Sequence, residues 1–188
     1  MPRFMSPGRD ELGRLRTPLT AGELKVLELL DRKLDEEWEI YIQPHLNGMR
    51  PDFVVLHPLR GIGVVEVKDW DLDAMSYCNR LIDGHPVMTA TSRNGKTFRL
   101  PNPVIRTAEY RGGIASLLPF TLEELVAESA GALRVVECAL VMTCASTERA
   151  KELAQPYLPF GQVRYVHVCG SEALCDGKLQ QLLPWAAS

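Results

Sequence analysis

The sequence predicts an α/β fold in which helices flank a mixed central β-sheet. Three β-rich runs joined by short turns lie between residues 38 and 70 and favour an antiparallel meander. From about residue 103, helical and strand patterns alternate, which favours strands joined by helices. At 188 residues, the chain has the length of one domain and can bury a core without disulfides or structural metals.

The first predicted helix begins at Thr17 or Thr20, since a threonine cap precedes apolar residues at helical spacing. These apolar residues are Leu24, Leu27, Leu30 and Leu34. Glu23 lies in the first turn, at the edge of this apolar face. Residues 1–16 are polar and basic, so we expect a flexible N-terminal arm before a single domain that covers residues 17–188.

Three strands follow, separated by turn residues. They cover residues 38–46, 52–57 and 62–70. Asn47-Gly48 is typical of a hairpin turn, and Pro58–Gly61 forms a second turn. Residues 71–101 contain further Asp-Gly and Asn-Gly steps between short β-like runs, and we predict a β-hairpin-type insert there.

The back half is predicted to alternate between helices and strands. The helices cover about 103–118, a short segment from Thr121, 147–155 and 171–183, and the strands cover 135–143 and 162–169. Asn102-Pro103 supports the first of these helices, because asparagine caps helices well and proline is accepted at the first helical position.

The composition excludes several protein classes. A net charge of −3 counts against binding of nucleic acid by bulk charge alone, so any such binding needs a local site. Five cysteines without a CxxC pair count against a disulfide framework and a thiolate zinc site. No apolar leader and no run of membrane-spanning length is present, so we expect a reducing, cytoplasmic environment.

The third predicted strand carries two charged residues on one face. Glu66 and Lys68 lie two residues apart, so both side chains share a face, while Val65 and Val67 share the other. Buried charges need a partner or a metal, which makes this pair unusual in a valine-rich strand. Pairing about the second turn brings residues near 52 opposite residues near 67, so Asp52 can reach Glu66 and Lys68.

This set of groups suits divalent-metal chemistry. The carboxylates of Asp52 and Glu66 and the carbonyl of Val67 are hard oxygen ligands for Mg²⁺ or Mn²⁺. Such a metal polarises a phosphoryl group and lowers the pKa of a bound water, which Lys68 can position or deprotonate. The alternative interpretation is a cross-strand ion pair on a partly exposed face of the sheet.

The same residues form a known motif. Pro51-Asp52 followed by Glu66-Val67-Lys68 resembles the PD-(D/E)xK phosphodiesterase superfamily. More narrowly, RPDFVVLHPLRGIGVVEVKDWDLD at residues 50–73 resembles the nuclease-related domain, NERD. The resemblance covers about residues 20–180 and continues in NPVIRTAEYRGGI and VECALVMTCAST.

The resemblance implies a restriction-endonuclease-like core and a Mg²⁺- or Mn²⁺-dependent deoxyribonuclease that acts in DNA processing, repair or defence. It also implies a superfamily I helicase of the UvrD type as a partner, either fused or separate. In this family an acidic residue of the first helix often joins the metal site, and by position this residue is Glu23. The glutamine that usually follows Asn102-Pro103 by one turn is replaced by Arg106, a stronger cationic donor to phosphate.

Further basic and polar residues are candidates for contact with nucleic acid. They are Arg93, Lys96 and Arg99 in the insert, Arg106 and Arg111 on the following helix, and Gln43 in the first strand. The alternative for the basic residues is a solvated surface. Trp70 and Tyr77 can stack on bases, and core packing is the other interpretation for Trp70. Asp69 is predicted to be a solvated carboxylate, and the four histidines lack paired metal spacing.

Two classes of function remain open from the sequence. The first is a metal-dependent nuclease that acts on DNA, with RNA ranked lower because no RNA-specific module is visible. The second is a non-catalytic nucleic-acid-binding or docking module of a helicase-associated protein, which the replacement by Arg106 motivates.

Overall fold

The computed structural model describes residues 3–82, 85–117, 136–154, 166–175 and 179–184, without the side chains of residues 80–82, 85 and 86. One sheet contains β1 Met5–Ser6, β2 Glu39–Ile42, β3 Phe53–His57, β4 Gly61–Lys68, β8 Val136–Met142 and β9 Val166–Cys169, in that order. A second sheet contains β5 Met75–Ile82, β6 His85–Ser92 and β7 Thr97–Leu100, also in that order.

The first sheet is mixed, as predicted. Strands β2, β3 and β4 are antiparallel neighbours, and the tight turn between β3 and β4 pairs His57 with Gly61. Gly61 has a φ of 91°, which glycine adopts without steric strain. Strands β4, β8 and β9 run parallel, with Lys68 opposite Met142. The carboxyl ends of β4 and β8 therefore lie near the amino end of β3.

Helices cover both faces of this sheet. They are α1 Ala21–Lys33, α2 Pro103–Ala115, α3 Thr147–Ala154 and α4 Leu179–Leu182. On one face, the leucines of α1 share a core with Val65 and Val67. On the other, α2 packs against Val64 and Cys138. Successive side chains of β4 thus pack alternately into two cores, one on each face of the sheet. A mixed sheet with helices on both faces confirms the predicted α/β architecture. Among the described residues, no helix has the length and apolar character that a membrane span requires.

The amino-terminal segment carries regular structure that the sequence analysis does not predict. Strand β1 pairs in parallel with β2, and a 3₁₀ helix covers Arg9–Arg14. Arg3 and Arg9 donate hydrogen bonds to the carboxylate of Asp31 in α1, at 3.0 and 2.9 Å. These partners lie 28 and 22 positions apart, so local composition does not reveal them. The domain boundary at residue 17 stays a prediction.

The first predicted hairpin has a longer connection than expected. Strand β2 ends at Ile42 because Gln43 has a φ of 47° and turns the chain. The Asn47-Gly48 turn is present within the connection, with positive φ angles of 48° and 81°. It brings Leu46 and Met49 together as an isolated bridge. The turn predicted at Asn47-Gly48 is therefore confirmed, although β2 is shorter than the strand predicted over residues 38–46.

Two other predictions differ from the structure. The insert at 71–101 contains three antiparallel strands, one more than a hairpin. The last helix, predicted over 171–183, is replaced by a 3₁₀ helix at Ser171–Leu174 and the short α4. The helix predicted from Thr121 and residues 162–165 of the last strand lie outside the described residues.

Candidate active site

The amino end of β3 and the carboxyl end of β4 bring two acidic residues together. The β3–β4 ladder ends with Phe53 opposite Val65, so Asp52 lies one step further, opposite Glu66. Instead of continuing the ladder through its backbone, Asp52 accepts a hydrogen bond at Oδ2 from the Val67 N–H, at 2.7 Å. The register agrees, to within one residue, with the predicted pairing of residues near 52 with residues near 67.

Glu66 is buried, with an exposed fraction of 3%. Its Oε1 accepts a hydrogen bond from Lys68 Nζ at 2.6 Å, and Lys68 also donates to the Val67 carbonyl at 3.0 Å. Its other oxygen, Oε2, is buried and has no hydrogen-bond partner among the described residues. A buried carboxylate oxygen without a donor or cation is costly, so this atom calls for a partner.

The environment of Asp52 is also short of positive charge. Burial and then the negative charge of Glu66 raise the pKa of Asp52, against the Val67 N–H and the charge of Lys68, and the net result is a pKa of about 8. The carboxylates of Asp52 and Glu66 share one positive charge, that of Lys68, so the state in which both carry a negative charge is unfavourable. Their oxygens, with the Val67 carbonyl, form a hard donor set that fits a divalent cation such as Mg²⁺ or Mn²⁺.

Glu23 reaches the same region from the first turn of α1. It is buried, and its Oε2 accepts a hydrogen bond from the Thr20 N–H at 2.8 Å. In return, Thr20 Oγ1 accepts from the Glu23 N–H at 3.2 Å, which completes a capping box. The charge of Glu23 is among those that raise the pKa of Asp52. The structure thus brings Glu23 into the electrostatic neighbourhood of the two β-strand carboxylates.

Helix α2 places Arg106 beside the carboxylates. Arg106 Nε donates to the Tyr110 hydroxyl at 2.6 Å, and the guanidinium lies 5.7 Å from the centre of the Tyr110 ring. The hydrogen bond to Tyr110 and the charges of Glu66 and Asp52 raise the pKa of Arg106. The Arg106 side chain is exposed and borders a cleft of about 520 Å³ between α2 and the Asn47-Gly48 turn.

Arg50 supports this region, although the sequence analysis does not single it out. Its carbonyl accepts a hydrogen bond from the Tyr110 hydroxyl at 3.2 Å. Its guanidinium donates to Gln43 Oε1 and, at 3.1 Å, to Thr17 Oγ1. The only sequence signal is its place just before Pro51-Asp52. Arg50 therefore connects the segment before Asp52 to α2 and to Thr17, which precedes α1.

Gln43, a predicted contact of nucleic acid, also has partners within the domain. It is buried, and its side chain accepts the hydrogen bond from Arg50. Its backbone N–H donates to the Asp52 carbonyl at 2.8 Å. Gln43 therefore holds the chain at Asp52, just before β3, and its contact with nucleic acid stays a prediction.

The predicted basic cluster is divided by the structure. Arg93, Lys96 and Arg99 lie exposed around the β6–β7 turn, where Lys96 is 5.0 Å from the Phe98 ring centre. Arg111 lies elsewhere, and its contact with nucleic acid stays a prediction. Its Nε donates to the Val136 carbonyl at 2.9 Å, at the start of β8. Since β4 and β8 are parallel, that position is at the opposite end of the sheet from Lys68.

A second group of potential metal ligands lies at the far end of β3. Asp35, Glu37 and His57 each place a ligand atom within 4.8 Å of the others. The backbone N–H groups that follow His57 donate to its Nδ1 at 3.1 Å, so neutral His57 carries its proton on Nε2. Nε2 lies 3.2 Å from Glu37 Oε2, although the pair is not aligned as a hydrogen bond. A protonated Nε2 has no lone pair for a metal, so this group does not fit a metal site.

Comparison with known proteins agrees with the motif. The nuclease-related domain (NERD) profile matches residues 19–143, which are 125 of the 188 residues. The matched segment includes Glu23, Asp52, Glu66 and Lys68. No curated protein and no solved structure matches the chain. The profile match indicates a nuclease-related function of the hydrolase type. By this match, which covers well over half of its length, the chain belongs to the nuclease-related domain family.

Proposed function

We propose that this chain is a divalent-metal-dependent nuclease domain that hydrolyses phosphodiester bonds of DNA. The observation that carries the proposal is the buried, unpartnered Oε2 of Glu66 beside Asp52, whose pKa is raised to about 8. The Asp52 and Glu66 carboxylates therefore need a further positive charge beside that of Lys68. A merely structural ion pair of Glu66 with Lys68 does not explain the placement of Asp52 next to it.

In the proposed mechanism, Asp52, Glu66 and the Val67 carbonyl hold the cation, with Glu23 in support. When bound, the cation supplies positive charge that polarises a phosphoryl oxygen and lowers the pKa of water. Lys68 uses two of its three ammonium protons on Glu66 and Val67, which fixes the direction of the third. The ammonium group thus positions the attacking water or stabilises the charge that develops on the phosphate.

Arg106 is proposed to hold the phosphodiester beside the carboxylates. Its Nε is used by Tyr110, which orients the guanidinium, and Arg106 borders the cleft, where its terminal N–H groups would bind an anion. Arg93, Lys96 and Arg99, exposed on the second sheet, are proposed to contact the DNA backbone further from the cut. We further propose that a superfamily I helicase, fused or separate, supplies the DNA on which this domain acts.

Cleavage of labelled DNA by the purified chain in Mn²⁺ or Mg²⁺ tests the proposal. Asp52→Asn, Glu66→Gln and Lys68→Ala are each expected to lower the rate by at least about 100-fold. Glu37→Gln is the matched control, because this carboxylate belongs to the group at the far end of β3. Activity that survives Asp52→Asn and Lys68→Ala contradicts the assignment. The same assay with RNA of equal sequence establishes the substrate.

A second candidate is a non-catalytic DNA-binding or docking module. The observation that favours it is Arg106, whose pKa is raised by Tyr110 and by the two carboxylates, so that it can act as their built-in countercharge. This candidate predicts DNA binding that needs no metal and produces no cleavage. Titration with Mn²⁺ distinguishes the two, because a site that depends on Asp52 and Glu66 contradicts the second candidate.

A further inference from the structure

Asp69, directly after Lys68, does not behave as the freely solvated carboxylate that the sequence analysis predicts. Its Oδ2 accepts a hydrogen bond from the Gly22 N–H of α1 at 2.9 Å. Its Oδ1 accepts from the Thr143 hydroxyl, which follows β8. The Thr143 N–H in turn donates to the Lys68 carbonyl at 3.0 Å. One carboxylate thus joins the ends of β4 and β8 to the start of α1.

The contact is close enough to require glycine at position 22. Gly22 is buried, and a Cβ added there would overlap Asp69 Oδ1 and lie 2.8 Å from Thr143 Cγ2. A side chain at this position therefore displaces the Asp69 carboxylate, the first turn of α1, or both, and breaks the contact between them. The carboxylate also lies at the positive end of the helix dipole, which favours this docking.

The docked turn carries Glu23, the next residue after Gly22. The Glu23 side chain accepts a hydrogen bond from the Thr20 N–H at 2.8 Å, and the Glu23 N–H donates to Thr20 Oγ1 at 3.2 Å. Glu23 therefore moves with the first turn of α1 rather than independently of it. The distance of its carboxylate from Asp52 and Glu66 is set by how that turn is attached to the sheet.

We propose that Asp69 is a positioning residue which, through Gly22 and Thr143, holds the first turn of α1 against β4 and thereby places Glu23 at the Asp52–Glu66 site. The inference rests on the proposed function, because it assigns Glu23 to the cation site. The competing explanation is that Asp69 only stabilises the helix terminus and the fold.

A double-mutant cycle on Mn²⁺ affinity separates these explanations. The full chain is titrated with Mn²⁺ as wild type, Asp69→Asn, Glu23→Gln and the double variant. Asparagine replaces one acceptor oxygen of Asp69 by an NH2 donor and removes the negative charge, so its contacts with Gly22 and Thr143 are weakened. Each single variant is expected to weaken Mn²⁺ binding by about 10-fold, within the range for residues that orient metal ligands. The double variant is expected to bind as the Glu23→Gln variant does.

Controls make the outcome specific. Asp71→Asn removes the next acidic residue, which is exposed and whose side chain accepts from the backbone of Asp73, and is expected to leave the affinity unchanged. Gly22→Ala perturbs the same contact from the helix side and is expected to lose its effect in the Glu23→Gln background. Thermal unfolding of every variant confirms that it is folded at the titration temperature.

The possible results of the titration distinguish a failure of the positioning role of Asp69 from a failure of the proposed function. An additive cycle, or an Asp69→Asn variant with wild-type affinity, overturns the positioning role and leaves the proposed function in place. A wild-type chain whose Mn²⁺ binding is absent or unaffected by Asp52→Asn overturns the proposed function together with the inference. A lower melting temperature without a change in Mn²⁺ affinity supports the purely structural explanation and overturns the positioning role.

Discussion

Replacement of Asp52 by asparagine should stabilise the metal-free chain at alkaline pH. The folded-state pKa of Asp52 is raised to about 8 from an ordinary value of 3.8, chiefly by burial and then by Glu66. The folded state therefore binds the proton more tightly than the unfolded state, so ionisation of Asp52 opposes folding. The contribution of this group to the free energy of unfolding is largest below pH 3.8, falls between pH 4 and 8, and is constant above pH 8.

The size of the effect follows from the two pKa values. A tenfold change in an equilibrium constant is worth about 1.4 kcal/mol, so a rise from 3.8 to about 8 sets an upper limit of roughly 5 to 6 kcal/mol. Relaxation and water penetration reduce such penalties. Asparagine keeps an acceptor oxygen for the Val67 N–H. We expect Asp52→Asn to gain about 1–3 kcal/mol at pH 9, or roughly 2–12 °C in melting temperature for a chain of this size.

Thermal unfolding in a chelator at pH 5 and at pH 9 measures this difference. At pH 5 the two chains should differ by much less than at pH 9, since Asp52 is then protonated in the folded state. Added Mn²⁺ should reverse the order at pH 9, because only the wild type keeps both carboxylates and gains stability from binding. An Asp52→Asn chain that is less stable than the wild type at pH 9 in chelator refutes the reasoning about burial and charge.

Four further outcomes are expected. Arg106→Ala should weaken DNA binding at low salt and reduce its salt slope by about one phosphate contact, measured by fluorescence anisotropy. Arg111→Ala should lower the free energy of unfolding by about 1 kcal/mol through its bond to Val136, without changing that anisotropy titration. Glu37→Gln should leave Mn²⁺ affinity unchanged in calorimetry. Cys138 and Cys169, whose pKa values burial raises to about 12, should react with a thiol reagent only after unfolding, whereas the exposed cysteines react in the native chain.

The parts of the fold and site that could be predicted are those set by residues close to one another in the sequence. Alternation in β4 places Glu66 and Lys68 on one face, and the short turn after β3 sets the partner of Asp52 to within one residue. The N-cap and first turn of α1 are equally local, because Thr20 and Glu23 bond to each other. Such features depend on residues a few positions apart, so they can be read without the tertiary structure.

The features that the sequence analysis missed depend on distant partners. Gly22 and Asp69 are 47 positions apart, and Asp69 and Thr143 are 74 apart. Each of these residues is ordinary by itself. The hydrogen bond of Arg111 Nε to the backbone at the start of β8 was missed for the same reason, since the position of Arg111 on α2 by itself indicates only a basic surface. Hydrogen bonds of this kind become visible only when the strand order brings their elements together.

The two faces of β4 suggest how this domain combines stability with chemistry. Val65 and Val67 belong to the core beneath α1, whereas Glu66 and Lys68 point to the side of α2. A substitution on the apolar face should therefore act on the free energy of unfolding, and one on the polar face should act on cation binding. The carboxylates gain no stability from their closeness in the metal-free chain, as the raised pKa of Asp52 indicates. Their arrangement is better explained by a ligand that they share than by the needs of the fold.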